Sequence, residues 1–520
     1  MAWRVTGVLL TLLVVLAHLD TLSGEFVLDD RPFLVDNPRL ERSARPADFF
    51  THGVWWFSNL PDAGEEANYR PLVTVALWAK NQLWHGDPAG FHAASILMHL
   101  AATLLLLLWL RRLSPTMDAR AAGLAVALFA VHPVHVEAIA WISGSLHLQA
   151  TLLLLITCLL YDRFVRLGGW RWLVLANLFY LGALLTVEVV AAFPVFLLVY
   201  EYVRRGRVVF WNALPCFLLL AGYLVARKMV LGTPLPLTWD SLAAWMRLFS
   251  FAVESLRHLL WPWPQPLYLA TPADGVTRPE SGWLALVMLT VMIWPVVRTR
   301  TLPGLPLLAL AWLGSSLAPP LLAALNPTPL LALRTLYLPS VGVVLLLAWG
   351  LDRLRGKWWI GQLLLVLLAL GGTLAANRAW RNDGVVYARI VGWHPEHAAG
   401  HAGLAQYAAR TGQLQEAMAH YRTAMEKARG KARLDLMEPL ALLLGRSGHH
   451  GESLALFRQV TVLAPQRASA WVGVGNNLWF MRRPQEAVAA YRNAVRADPR
   501  NQEACHNLNM ALGRPSVPCN

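Results

Sequence analysis

The chain has 520 residues, of which 56% are hydrophobic and 15% are charged. Soluble domains usually carry about 25% charged residues, so this composition excludes an ordinary soluble protein and predicts that most of the chain faces lipid. The formal net charge is +14, but the Lys and Arg residues lie mostly in short gaps between apolar segments. Because they are not gathered on one soluble face, the charge does not indicate nucleic acid as a partner.

The residue composition changes after about Trp380, and two regions follow from this change. Residues 1–382 are predicted to form a multispanning membrane domain, and residues 383–520 a soluble domain. A membrane helix needs about 20 mostly apolar residues. The runs that fit are, approximately, 5–22, 91–110, 121–134, 138–161, 172–186, 189–203, 208–226, 282–297, 303–322, 330–350 and 358–376. The sequence therefore predicts an all-α, polytopic membrane helix bundle of about 11 spans.

Basic residues between the spans predict the orientation of the chain. The first run is interpreted as a retained span, because no clear small-residue cleavage site follows it between Asp20 and Glu25. Lys and Arg are enriched in cytoplasmic loops. With the N-terminus in the cytoplasm, five alternate gaps face that side, and they hold Arg111, Arg112, Arg120, Arg163, Arg166, Arg171, Arg204, Arg205, Arg207, Arg298, Arg300, Arg353, Arg355 and Lys357. We expect a multi-pass protein of a cell inner membrane, whose first loop and C-terminal domain lie outside the cytoplasm.

A period of 34 residues is visible from Ala398 onward. Its strongest unit has Trp471, Gly475, Tyr491 and Pro499 at the positions where the tetratricopeptide pattern requires large, small, aromatic and helix-ending residues. Two earlier units precede it, and a final helix near 502–512 is predicted to cap the stack. The pattern predicts an α-solenoid that binds peptides or partner proteins and performs no chemistry of its own.

The first outer loop opens with two adjacent carboxylates, Asp29 and Asp30. One interpretation is a solvated start of the loop. The other is a general base beside a lipid-borne phosphosugar, since carboxylates at a membrane surface are costly unless they are solvated or functional.

A second polar cluster, Val131-His-Pro-Val-His-Val-Glu137, interrupts apolar sequence and contains His132, His135 and Glu137. Its spacing matches neither the helical zinc pattern with two His four residues apart nor another recognised zinc pattern, so no metal is predicted. The remaining alternatives are a polar turn and a pocket for a phosphate or for sugar hydroxyls.

Three further charged residues lie at the edges of apolar segments. Arg70 precedes an amphipathic segment that ends at Trp84 and is typical of an interfacial helix. Arg334 lies near the outer start of a span, where it either holds a lipid phosphate or extends to the interface. Glu188, between two spans, is a functional candidate because charges at such positions are rarely retained without a role.

Taken together, these residues resemble the transmembrane and tetratricopeptide-repeat O-mannosyltransferases and their bacterial relatives, within the lipid-sugar-dependent GT-C class of glycosyltransferases. The resemblance covers nearly the whole chain. It is carried by Phe26 to Asp30, Asn37-Pro38, Tyr69 to Leu72, Phe91-His92, His99, Val131 to Ala138, Trp141 to Gly144, Glu188, Leu336 to Ser340 and the repeats. It implies transfer of a mannose-like sugar from a polyprenyl-phosphate donor to protein hydroxyls on the outer face. No cofactor is implied, since the lipid-linked sugar is a substrate, and the repeats would recruit acceptor proteins.

The resemblance also implies roles for the candidate residues. Asp29 would be the base, with Asp30 as its neighbour or substitute, and Glu137 and Glu188 would orient the residues that bind the donor phosphate or sugar, namely Arg70, His132, His135 and Arg334. Four positions depart from the family pattern: Ser145, His147, Val187 and Leu333 stand where Arg, Asp, Lys and Glu are common. These departures leave open an alternative function, a non-catalytic membrane scaffold whose repeats recruit envelope proteins.

Overall fold

The structure is a computed structural model that describes residues 2–37, 45–57, 68–232, 242–262, 269–270, 304–323, 325, 330–354 and 356–513. The chain divides into two compact units, Met1–Asn382 and Asp383–Asn520. Helices dominate both units. The described strands are β1 (Leu269–Ala270) and β2 (Leu330–Leu331), which pair antiparallel with Leu269 opposite Leu331. The predicted all-α class is confirmed.

The first unit is built mainly of helices. In chain order, those described are α1 (Ala2–His18), α2 (Pro71–Trp84), α3 (Pro88–Leu113), α4 (Ala119–Ala130), α5 (Val136–Ala140), α6 (Leu146–Leu167), α7 (Trp170–Leu184), α8 (Phe193–Arg205), α9 (Phe210–Leu231), α10 (Leu242–Leu260), α11 (Gly304–Ala323), α12 (Tyr337–Leu351) and α13 (Trp358–Asn377). Two of them begin at residues suited to a helix start: Asp87 and Asp118 accept backbone N–H groups of α3 and α4.

Seven of the described helical segments are long and apolar enough to cross a membrane, or eight if one bent pair counts as a span. The predicted count of about 11 is therefore not confirmed. The predicted span at 282–297 lies outside the described residues. Two other predicted spans are short helices here, α7 with 15 residues and α8 with 13.

The bent pair falls at Pro133, inside the span predicted at 121–134. Helix α4 ends at Ala130, a turn covers Pro133–His135, and the chain continues into α5 at an angle of 44°. Proline has no backbone N–H, so the helix cannot continue through it without losing a hydrogen bond. The segment from His132 to Gly144 therefore consists of short turns and the five-residue helix α5.

Aromatic rings fill the centre of the first unit. Trp109, Phe196 and Trp312 are almost completely buried, and the ring centres of Phe196 and Trp312 lie 5.1 Å apart at an angle of 84°. This edge-to-face arrangement holds α3, α8 and α11 together. Buried carboxylates add a second link between α6 and α8, since Asp162 pairs with Arg204 at 3.2 Å.

The second unit is a stack of helix pairs. It consists of α14 (Asp383–Trp393), α15 (Ala398–Arg410), α16 (Leu414–Lys427), α17 (Gly430–Arg446), α18 (His450–Leu463), α19 (Ala468–Phe480), α20 (Pro484–Ala497) and α21 (Gln502–Leu512). Gly475 on α19 lies so close to Tyr491 on α20 that a Cβ atom there would overlap the tyrosine ring. The predicted three helix pairs and the final helix are confirmed.

Candidate functional site

The first loop holds Asp30 as part of the fold. Its carboxylate accepts the backbone N–H of Val27 at 3.1 Å and that of Ser143 at 2.7 Å, and the side chain is fully buried. Burial raises the pKa of Asp30 to about 7, although the Ser143 and Val27 donors act in the opposite direction. Asp30 therefore links the first loop to the turn that precedes α6.

Asp29 differs from its neighbour. Its carboxylate makes no hydrogen bond or salt bridge to any residue that the structure describes, and it is only half-buried. Burial raises the pKa of Asp29, while the charge of Arg334 acts to lower it. The preceding residue, Leu28, has a φ of +50°, a conformation that costs free energy in a residue other than glycine. The backbone thus presents Asp29 as an unpaired carboxylate within the field of Arg334.

Arg334 is fixed by two residues of the segment that follows the Pro133 break. Its guanidinium forms an ion pair with Glu137, and its backbone N–H donates to the other oxygen of the same carboxylate at 3.3 Å. The guanidinium carbon lies 4.5 Å from the ring centre of Trp141. Charge pairing and cation–π contact together hold the arginine in one place.

Arg70 and Glu188 form a second ion pair. Arg70 Nε and Nη2 donate to the two carboxylate oxygens of Glu188 at 3.0 and 2.6 Å. Burial is the largest single influence and opposes the ionisation of Glu188, but the charge of Arg70, its hydrogen bonds and smaller contributions together outweigh burial and lower the pKa of Glu188 below its usual value. Each predicted arginine therefore has one of the predicted glutamates as its partner.

The two histidines of the predicted cluster have different surroundings. His135 is fully buried, and its ring nitrogens contact the carbonyl of Phe129 at 2.8 Å and the hydroxyl of Ser340 at 2.9 Å. Both nitrogens have partners within the protein, and a contact of His135 with a phosphate or sugar stays a prediction. His132 uses Nδ1 to accept the Val134 N–H at 3.2 Å, and its Nε2 has no partner in the described part of the chain.

Two residues near this site were not identified as candidates from the sequence. Lys80 is the single charged residue of α2; the charge of Asp30 acts on Lys80, and the charge of Lys80 acts on His92. Burial lowers the pKa of Lys80 to about 8. His147 lies in the first turn of α6, and in the sequence it is visible only as a departure from the family pattern. An ionisable residue at the start of an apolar span was the available signal for it.

A cavity of about 390 Å³ lies between the first loop and the end of α2. Its lining combines apolar loop residues on both sides of Asp29 with amide and imidazole groups, namely Phe26, Leu34, Val35, Asn81, Gln82 and His85. Among the described residues, no group of three or more His, Cys, Asp or Glu side chains is arranged to hold a metal ion.

The arrangement offers two kinds of chemistry. An unpaired carboxylate with a raised pKa is suited to accept a proton from a hydroxyl. Two preorganised guanidiniums, each already paired with a carboxylate, are suited to stabilise negative charge that develops on a phosphate. The structure joins Glu137 to Arg334, whose charge acts on Asp29, and it joins Arg70 to Glu188.

Comparison with known proteins agrees with the resemblance. The family model described as tetratricopeptide repeat matches residues 468–501. The Drosophila melanogaster protein O-mannosyl-transferase Tmtc1 is 36% identical over 173 residues, which are 33% of this chain and 20% of that protein. A Caenorhabditis elegans protein O-mannosyl-transferase is 25% identical over 438 residues, which are 80% of this chain and 61% of that protein.

The chain spans less than two thirds of the length of these relatives, from 20% of one to 61% of the other. A further relative, the Drosophila melanogaster protein O-mannosyl-transferase Tmtc2, is 32% identical over 293 residues, which are 51% of this chain and 30% of that protein. The predicted resemblance is confirmed: the chain is a homologue of transmembrane and tetratricopeptide-repeat proteins that are named protein O-mannosyl-transferases.

Proposed function

We propose that this chain is a membrane glycosyltransferase that moves a mannose-like sugar from a polyprenyl-phosphate donor to protein hydroxyls on the outer face of the membrane. One observation carries the proposal: the unpaired Asp29 carboxylate lies within the field of Arg334, which Glu137 and Trp141 hold in place. Sugar transfer from a phosphate requires a base for the acceptor hydroxyl and a cation for the leaving phosphate.

In the reaction, the acceptor hydroxyl gives its proton to Asp29 while its oxygen forms a bond to the anomeric carbon of the sugar. The bond between that carbon and the phosphate oxygen breaks, and polyprenyl phosphate leaves with the electron pair. Arg334 and Arg70 stabilise the negative charge on the leaving group. Because Glu137 and Glu188 already orient the guanidiniums, little reorganisation is needed when that charge develops.

His132 is proposed to contribute through Nε2, which has no partner among the described residues, while His135 supports the turn that carries it. Asp30 is proposed to position the loop that carries Asp29, since its carboxylate is engaged by two backbone N–H groups. Neither role requires a metal or an organic cofactor.

The acceptor is proposed to be a protein that the helical repeats bind. Helical repeats of this type present surfaces for peptides and proteins. The cavity beside the first loop is lined by residues that flank Asp29 in the sequence. The amides of Asn81 and Gln82 in this lining offer hydrogen-bonding groups for an acceptor segment.

The location is proposed to be a cell inner membrane, with the N-terminus in the cytoplasm and the repeats outside it. The distribution of basic residues between the spans supports this orientation. Cys505, in the final helix, is disulfide-bonded, which fits an oxidising compartment.

The test is transfer of radiolabel from polyprenyl-phosphate mannose to protein, in membranes that contain equal amounts of folded native chain or variant. Asp29→Asn should lower transfer by about 100-fold or more, the usual contribution of a general base. Asp30→Asn should destabilise the fold by about 1–3 kcal/mol, because an amide cannot accept both N–H groups. It should reduce transfer less per folded molecule than the change at Asp29.

Asp36→Asn is the matched control, since Asp36 lies on the same loop and makes only a long ion pair of 3.9 Å with Arg31. It should transfer sugar like the native chain. Native transfer that survives the change at Asp29 would contradict its role as the base. A native chain that transfers no sugar, yet binds envelope proteins through its repeats, would favour the scaffold function instead.

A further inference from the structure

His147 is a buried histidine that has no hydrogen-bond partner. Its side chain is 4% exposed, and its Nδ1 atom is buried without a hydrogen-bond partner. The other ring nitrogen, Nε2, is not fully buried, and it too has no hydrogen-bond partner within the described residues. A buried polar nitrogen without a partner costs about 1–3 kcal/mol, so its presence requires an explanation.

Burial without a partner does not by itself indicate a site. His18, in α1, is also completely buried with both ring nitrogens unpaired. What distinguishes His147 is its surroundings, because the positive charges of both Arg334 and Arg70 act on its ring. No arginine charge of the described residues acts on the ring of His18.

The chain around His147 explains why both arginines are near. Glu137 and Trp141 contact Arg334, and the Ser143 N–H binds Asp30 beside Asp29. His147 follows Ser143 by four residues, at the start of α6, and α6 contacts the turn Leu333–Leu336 that carries Arg334. The segment 137–147 thus contacts both Arg334 and Asp30.

Arg70 is linked to the helix that carries His147 through α2 and α7. It precedes α2, whose Leu72 N–H donates to the Leu185 carbonyl at the end of α7, and α7 packs along α6. The pair of Arg70 with Glu188 is therefore tied to the helix that carries His147. An anion held between Arg334 and Arg70 would lie beside the imidazole.

We propose that Nε2 of His147 donates a hydrogen bond to a phosphate oxygen of the lipid-linked donor, as a third phosphate-binding residue between Arg334 and Arg70. The inference rests on the proposed function for the identity of the donor. The inference is more specific than the proposed function: the ligand is a polyprenyl phosphate group, and the contact is to the phosphate rather than to the sugar. A neutral donor adds a directed hydrogen bond without a further charge to desolvate.

The experiment measures binding of a polyprenyl phosphate that carries no sugar to the purified full chain in detergent, together with KM and kcat for transfer from the sugar-carrying donor. His147→Phe keeps a ring and removes both nitrogens, whereas His147→Gln places an amide N–H near the position of Nε2. Loss of one hydrogen bond to a charged group predicts about a tenfold or larger rise in Kd and in donor KM for His147→Phe. His147→Gln should stay within about threefold of the native values.

His18→Gln is the matched control, because it also replaces a buried, unpaired histidine of the same unit. It should leave the Kd for polyprenyl phosphate unchanged, which separates a local contact from general destabilisation. Unchanged binding of polyprenyl phosphate by His147→Phe would overturn the inference, as would a native chain that does not bind this lipid. A rise in donor KM without a rise in the Kd of the sugar-free lipid would also overturn it, since the contact would then be to the sugar.

The result also separates this inference from the proposed function. A native chain that binds polyprenyl phosphate in a His147-dependent manner but transfers no sugar would support the phosphate contact. The same result would contradict the glycosyltransferase.

Discussion

Arg70 and Glu188 are joined by two parallel hydrogen bonds of 3.0 and 2.6 Å across 118 residues of sequence. Neither residue lies inside a long helix: Arg70 precedes α2, and Glu188 begins the turn Glu188–Val190. The pairing therefore depends on how α2 and α7 pack, and the Leu72 N–H bond to Leu185 at 3.0 Å fixes that contact. The guanidinium is held in a planar, two-point arrangement before any ligand arrives.

Replacement of Arg70 by Lys should separate charge from geometry. Lysine keeps the positive charge but cannot form two parallel bonds with a carboxylate. We expect Arg70→Lys to raise the KM for the polyprenyl-phosphate donor by about tenfold, a loss of about 1.4 kcal/mol. Steady-state transfer kinetics in membranes measure this effect.

Arg31→Lys provides the control, because the pair of Arg31 with Asp36 at 3.9 Å is solvent-accessible and has no bidentate geometry. Its donor KM should equal that of the native chain. If both lysine variants behaved like the native chain, the geometry of the Arg70 pair would have no part in donor binding.

The pH dependence of transfer should report the Asp29 carboxyl. Burial raises its pKa above the usual value, which is near 3.8. A base acts only when deprotonated, so the transfer rate should fall as the pH decreases through this raised pKa, with a midpoint above that of an exposed carboxylate.

Arg334 lowers the pKa of Asp29 through its positive charge. The residual activity of Arg334→Gln should therefore show its acidic limb at higher pH than the native enzyme. The transfer rate of both proteins, measured as a function of pH, shows in which direction the acidic limb moves. A limb that moved to lower pH in the variant, or that stayed in place, would contradict the electrostatic coupling between the two residues.

The types of residue in the candidate site could be predicted from the sequence, but their pairing could not. Asp29, Arg70, Glu137, Glu188 and Arg334 all fall at the edges of apolar segments, where charge is costly and therefore noticeable. Which glutamate meets which arginine depends on helix packing over 118 and 197 positions. Nothing in a local pattern contains that information.

The histidines illustrate the same limit. His135 is a candidate from the sequence because it lies in a dense polar motif, yet one of its ring nitrogens contacts the Ser340 hydroxyl, 205 positions away. His147 lacked such a motif, and its relation to Arg334 and Arg70 appears only when α6, α2 and the turn Leu333–Leu336 are assembled. By contrast, the repeat helices follow a local period, so their order was predictable from spacing alone.

The contact of Gly475 with Tyr491 predicts a specific weakness of the repeat unit. A methyl group at Gly475 would overlap the Tyr491 ring, whose hydroxyl donates to the Asn476 side chain at 2.8 Å. Gly475→Ala should therefore destabilise this unit by about 1–3 kcal/mol, despite the better helix propensity of alanine. Limited proteolysis of the full chain, with cleavage sites mapped to 383–520, measures the change.

Gly451→Ala is a suitable comparison, because Gly451 is helical and no atom lies within 4 Å of a Cβ built there. This variant should resist proteolysis as well as the native chain or better. Equal resistance of both alanine variants would mean that the ring of Tyr491 moves aside at little cost.

The disulfide at Cys505 makes the orientation testable without a reporter fusion. Cys158 and Cys216 are buried free thiols, Cys505 is disulfide-bonded, and Cys519 lies outside the described residues. Disulfides persist outside the cytoplasm and are rare within it. Because Cys505 is buried in the folded unit, it is alkylated after denaturation. Prior treatment of intact cells with a membrane-impermeant reductant should make Cys505 available for labelling, whereas cells that receive no reductant should leave it unlabelled. Mass spectrometry of the peptide from α21 reads the label, and Cys505→Ser controls for its assignment.

Labelling that appears only after the cells are lysed would place the repeats on the cytoplasmic side. Such a result would reverse the proposed topology, and with it the side of the membrane on which Asp29 could meet its acceptor.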